Sequence, residues 1–115
     1  MGDRQEEHQR ITAMNIRILD SALQDLIEGY WFYEKQKEGL GSYFLDSLFS
    51  DIDSLRIYAG IHPIYFSRYY RLLSKRFPFA VYYRINDDTV LIYAVIDCRR
   101  NPAWIKGKLQ YENET

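Results

Sequence analysis

Residues 77–98 read FPFAVYYRINDDTVLIYAVIDC, and this stretch decides the fold. Two runs rich in aromatic and β-branched residues, Phe77 to Ile85 and Thr89 to Cys98, flank Asn86-Asp87-Asp88, a polar break of the kind that turns a β-hairpin. In the second run Val90, Ile92, Ala94 and Ile96 alternate with Leu91, Tyr93, Val95 and Asp97. Both faces are largely apolar, so this run is expected to be a central strand covered on both sides.

Upstream, the period changes from two to about 3.6. Leu23, Leu26, Ile27, Tyr30 and Tyr33 recur at helical spacing, with Gln24, Asp25, Glu28, Glu34 and Lys35 on the wetter side. Ser21 followed by Gln24 has the form of a capping box that starts this helix, and Gly39 is expected to end it as a left-handed cap. A second helix follows Gly41 and Ser42, with Phe44, Leu45, Leu48, Phe49, Ile52 and Leu55 on one face and Asp46, Asp51 and Asp53 on the other. Gly60 and Pro63 close the helical half. Met14, Ile16 and Ile18 alternate within an expected first strand over 11–19, and a further strand is expected over 66–74. The fold class is therefore α+β, a two-helix hairpin packed on a small antiparallel sheet of three to four strands.

A chain of 115 residues with 47% hydrophobic content suits one domain. Residues 1–10 are polar and read as a disordered lead, 11–104 as the domain, and 105–115 as a C-terminal tail; the stretch from Ala103 to Thr115 has no sustained period and is expected to dock by Trp104. The single Cys98 forms no internal disulfide, and no run reaches the roughly 18 apolar residues of a membrane span. A cytoplasmic protein without membrane association is expected. One cysteine and two distant histidines fall short of a metal site, and no phosphate-cradling glycine loop is present. No cofactor is expected.

The net charge of -1 conceals an asymmetry. Residues 1–53 hold eleven acids against five bases, whereas residues 54–110 hold three acids against ten bases. Between Asp53 and Asp87 there is no acid, but Arg56, Arg68, Arg71, Lys75, Arg76 and Arg84 are interleaved with tyrosines and phenylalanines. Cations neutralise phosphate and rings stack on bases, so the pattern suits a nucleic-acid surface. It equally suits a core of rings whose bases face solvent or the acidic helices. Arg99 and Arg100, directly after the central strand, read either as binders of a phosphate or acidic partner or as surface charges paired with Asp97 and Asp20. His62 and Tyr83 are the only plausible proton-transfer groups beside the basic run, although a lone loop histidine is more often structural.

Four words in this order resemble the RelE/ParE superfamily of toxins, on its ParE-like, plasmid-stabilisation side. They are Ala22-Leu23-Gln24-Asp25-Leu26; Gly39-Leu40-Gly41 with Phe44; Arg76-Phe77-Pro78-Phe79 running into Tyr82-Tyr83-Arg84; and Ala94 to Asn101-Pro102 with its Asp97-Cys98-Arg99-Arg100. The resemblance spans 14–104. It implies the toxin of a type II toxin-antitoxin system, neutralised by a cognate antitoxin, with DNA gyrase as target on the ParE-like side. The alternatives it leaves open are a metal-independent, ribosome-dependent messenger-RNA endonuclease of RelE type, using Arg71, Lys75, Arg76 and Arg100, and an inert relative that only binds antitoxin. The expected target or phosphate contacts are Arg71, Lys75, Arg76, Arg84, Arg99 and Arg100. The expected antitoxin contacts are Trp31 and Phe32, one of which must point away from the core on the first helix. A homodimer or a toxin-antitoxin hetero-oligomer is the expected assembly. Two positions depart from the pattern: Ala80 stands where RelE-like chains carry an arginine, and Asp97 where many ParE-like chains carry a histidine.

Overall fold

The computed structural model describes the backbone of residues 13–114 and the side chains of residues 13–110. The expected lead over 1–10, and Ile11 and Thr12 of the expected first strand, lie outside the described residues. In chain order the elements are β1 (Asn15–Ile18), α1 (Asp20–Glu34), α2 (Leu40–Asp53), the single turn α3 (Leu55–Tyr58), β2 (Ile64–Tyr65), β3 (Tyr69–Leu73), β4 (Phe79–Asn86), β5 (Thr89–Asp97) and α4 (Pro102–Glu114).

The sheet has five strands in the order β1-β5-β4-β3-β2, and it is mixed. This corrects the expectation of three to four antiparallel strands in two ways. β1 runs parallel to β5, which a chain can achieve only through a crossover, here supplied by α1 and α2. The additional strand, β2, lies just before the expected run over 66–74, and that run shortens to β3: Phe66 and Ser67 both have positive φ (55° and 63°), forming a tight turn that folds β2 back on β3.

Two cores lie on opposite faces of the sheet. On the first, Leu26, Tyr33, Phe44, Leu48, Ile52 and Leu55 of the helices meet Val81, Tyr83, Val90, Ile92 and Val95. Each fully buried leucine, isoleucine or valine there contributes roughly 1.5–3 kcal/mol. On the second, Tyr69, Ala80, Tyr82, Ala94 and Ile96 are covered by Ile105 and Leu109 of α4. The strict alternation expected along β5 fails at Tyr93. Tyr82 pairs with Ala94 and Tyr83 with Ile92, so Tyr93 is the extra residue of a β-bulge. Beyond the bulge Val95, rather than Ala94, faces the helices.

The helices also sit differently from their apolar periodicity. α1 buries Ala22, Asp25, Leu26, Gly29 and Tyr33, leaving Leu23 and Ile27 exposed. The reason is Gly29: a Cβ there would lie 2.5 Å from the Phe44 ring, so α2 approaches along the small residues and not along the aliphatic stripe. In α2, Phe49 is exposed and Asp51 is buried, because the Asp51 carboxylate accepts hydrogen bonds from Ser74 Oγ (2.7 Å) and the Lys75 amide (3.3 Å). α1 ends at Glu34, five residues before Gly39. Gly39 (φ 88°) instead precedes α2 as its N-cap, and the Glu34 carboxylate accepts from the Gly39 and Gly41 amides. The capping box at Ser21 does not form. Helix α1 starts at Asp20, and Ser21 Oγ donates to the Tyr93 carbonyl at the bulge (2.9 Å).

The expected irregular tail is a helix. Asn101 Oδ1 accepts from the Ala103 amide (2.7 Å) and Pro102 occupies the first helical position, where its missing N–H costs nothing. The helix docks by Ile105 and Leu109, and by Tyr69 Oη donating to the Leu109 carbonyl (2.9 Å), while Trp104 remains 43% exposed.

Candidate interaction sites

Past Ile92, β5 has no β1 residue beside it, and α1 takes over the role of the missing strand. Ser21 satisfies the Tyr93 carbonyl, and Asp25 Oδ2 accepts from the buried Val95 amide (2.9 Å). The other carboxylate oxygen accepts from Lys108 Nζ of α4 (2.5 Å), so a single side chain ties α1, β5 and α4 together. Burial raises the Asp25 pKa, and the Lys108 and Val95 hydrogen bonds offset only part of that shift.

Around this junction lies a cleft of about 310 Å3, floored by Gly29, Phe79, Val95 and Ile96 and walled by Phe32 and Trp104. Arg100 stacks on Trp104, its guanidinium carbon 4.2 Å from the ring centroid, and lines the same cleft. Phe32 and Arg100, expected to serve different partners, therefore share one site. Trp31 is also exposed (54%, against 53% for Phe32), so both residues point away from the core. Trp31, however, is not among the cleft's lining residues.

The six expected target cations do not form one surface. Arg71 lies on the second sheet face, its guanidinium 4.0 Å above the Tyr65 ring, with Nε buried and without a hydrogen-bond partner. Arg84 is on the same face, over Tyr93. Lys75 and Arg76 stand on the β3–β4 loop beside α2. Arg99 is held by Asp97 through Nε–Oδ1 (2.9 Å) and Nη2–Oδ2 (2.6 Å), with its amide donating to Oδ1 (2.8 Å). That fork holds the Asp97 carboxyl below its ordinary value and raises the Arg99 pKa. The expected ion pairing of the two arginines thus holds for Arg99 with Asp97, while no ion pair to Asp20 occurs among the described residues. Ala80 is buried under the second core, where an arginine would displace Ile105 or Leu109.

His62 and Tyr83 do meet. Tyr83 Oη accepts from the Gly60 amide (3.0 Å) and lies within hydrogen-bond distance of His62 Nδ1 (2.5 Å). Burial lowers the His62 pKa and raises that of Tyr83. With Tyr83 fully buried, the contact fastens the α3–β2 connection to the sheet. Among the described residues no three His, Cys, Asp or Glu side chains gather as a metal would require, and no helix is long and apolar enough to cross a membrane.

Asp25 and Lys108 are the junction residues that sequence reasoning missed, while Trp104, expected to dock the tail, walls the cleft beside them. The available signal was Asn101-Pro102, a cap followed by a first-turn proline, which starts α4 and so gives Trp104, Ile105, Lys108 and Leu109 their positions.

A mixed five-stranded sheet with paired helices on one face and a terminal helix on the other defines an α+β fold of known type. It superposes on a solved structure titled "Chromosomal ParDE TA system from P. aeruginosa" with a TM-score of 0.68 at 17% identity, covering 74% of this chain and 96% of that one. A match to the family described as "ParE toxin of type II toxin-antitoxin system, parDE" spans residues 16–102, so the chain belongs to the ParE toxin family. No curated protein matches it. The family match ends where α4 begins.

Proposed function

We propose that this chain is the toxin of a type II toxin-antitoxin system, acting by binding a macromolecular target and held silent by a cognate antitoxin. The observation that carries the reading is the family match over residues 16–102. By resemblance the target is DNA gyrase. An apolar antitoxin segment covers Trp31 and Phe32, whose exposed rings offer anchors of the kind that peptide helices and strands use. Of the cations, Arg100 beside Phe32 and Arg71 on the second sheet face contact the target, joined by Arg84. Because Phe32 and Arg100 line one cleft, antitoxin and target exclude each other there.

Supercoiling by purified gyrase tests the target. The protein freed from its antitoxin inhibits supercoiling, and adding antitoxin restores it. Unimpaired supercoiling at a large molar excess removes gyrase, and codon-phased transcript cuts after induction would install the nuclease reading in its place. One observation favours a second reading, a relative that binds antitoxin without being toxic: Asp97 occupies Arg99 in a two-point ion pair. In that case antitoxin affinity persists and neither gyrase nor transcripts are affected.

A further inference from the structure

A second cavity, of about 340 Å3, lies between α2 and the β3–β4 loop, away from the cleft that Phe32 and Arg100 share. Ser47, Ser50, Lys75 and Arg76 line it, with Asp46 and Asp51. Ser47 is only 6% exposed, and its Oγ has no hydrogen-bond partner. Buried hydroxyls are nearly always satisfied, and a serine inside a helix ordinarily donates to the carbonyl four residues back, so an unmet donor in a cavity wall marks a place for an acceptor.

Two cations and two carboxylates line the cavity, and what separates them is how far each is already engaged. Neither Lys75 nor Arg76 has an ion-pair partner among the described residues; Arg76 instead lies over the Tyr43 ring, 5.9 Å from its centroid. Asp51 is turned to the loop, its Oδ2 taken by Ser74 Oγ and the Lys75 amide, and this fixes the backbone from which both cations project. Asp46, exposed, and Asp51, buried, both oppose an anion by their charge, which Lys75 and Arg76 together outweigh only because Asp51 is already turned to the loop's own donors.

We propose that this cavity is an oxyanion-binding site, in which Lys75 and Arg76 hold the charge and Ser47 Oγ donates to one ligand oxygen, with Ser50 at the mouth. The guanidinium fork and the ammonium match the oxygens of a phosphate or a carboxylate. This site is independent of the toxin reading and needs no antitoxin or target.

Titration of the purified chain with inorganic phosphate, followed by amide NMR at fixed ionic strength, tests it, with acetate as the carboxylate arm and chloride as control. Saturable shifts at Ser47, Ser50, Lys75 and Arg76 are expected with phosphate, acetate or both, and none with chloride. Which anion binds tighter tells a phosphate source from a carboxylate source. Lys75→Ala with Arg76→Ala, both surface changes, abolishes saturation. Ser47→Ala weakens binding about tenfold, the loss of one hydrogen bond to a charged group. Asp46→Asn tightens it. Shifts that stay linear to high concentration with both anions, or that persist in the double variant, overturn the assignment.

Discussion

Replacing Asp25 by alanine should loosen the molecule where this side chain ties α1, β5 and α4 together. The side chain is 8% exposed and does two things at once: Oδ2 accepts from the Val95 amide and Oδ1 from Lys108 Nζ. Its removal leaves a buried N–H without a partner, which costs about 1–3 kcal/mol. Lys108, 21% exposed, can turn to water, so its loss falls below the 3–5 kcal/mol or so of a fully buried broken pair. The expected total is about 2–4 kcal/mol, a large share of the roughly 5–15 kcal/mol that holds a domain together. Urea denaturation at neutral pH measures it, and hydrogen exchange at Val95 localises it. Lys108→Met separates the two contacts, because it preserves the Val95 bond and leaves a buried carboxylate alone. An acid whose folded pKa lies above its unfolded value gains stability as pH falls through the folded value towards the unfolded one. Burial already raises Asp25, and losing Lys108 raises it further, so Lys108→Met should recover stability relative to the parent on acidification. A loss under about 0.5 kcal/mol in Asp25→Ala, well below the cost of one orphaned amide, would refute the reasoning, as would an acid response in Lys108→Met identical to the parent's.

Other consequences are smaller. His62 has a folded pKa below its unfolded value, so its contribution is fully present above about pH 6.5 and is lost as pH falls through the folded pKa. Stability curves against pH should therefore lose their slope just below pH 6.5 in His62→Gln, and an unchanged slope would place the effect elsewhere. Tyr83→Phe orphans the Gly60 amide and should cost about 1–2 kcal/mol in denaturation, with faster exchange at Gly60. Gly29→Ala puts a Cβ 2.5 Å from the Phe44 ring; overpacking of about 1–3 kcal/mol outweighs the gain in helix propensity of about 1 kcal/mol, and a higher melting temperature would contradict the close approach of α1 and α2. Trp31→Ala with Phe32→Ala should weaken antitoxin binding at least tenfold by calorimetry while leaving the denaturation midpoint nearly unchanged, since both rings are about half exposed.

Much of the architecture was legible because long apolar runs leave little choice. The strands around Asp87 and Asp88 and the helices around Leu26 and Leu48 lie close to where periodicity puts them. What misled was local and polar. Asp25 and Asp51 read as wet-side residues, yet both are buried because each meets backbone donors that a one-dimensional pattern does not show. Leu23 and Ile27 read as core, yet Gly29 draws the partner helix to the other side of α1. The bulge at Tyr93 follows from pairing with β4 and has no signature in β5 itself. The basic run between Asp53 and Asp87 was visible as charge, but strand alternation and a loop send Arg71 to one face and Lys75 and Arg76 to another. Their division between two sites could be read only from the fold. The orphaned Ser47 hydroxyl is likewise a property of packing.

Controlled induction of this chain in a bacterial host, alone and together with its neighbouring open reading frame, bears most directly on the toxin reading. Expressed alone, the chain arrests growth, and co-expression of the antitoxin restores it. Undiminished growth at high levels of folded protein, without any antitoxin, would contradict the account.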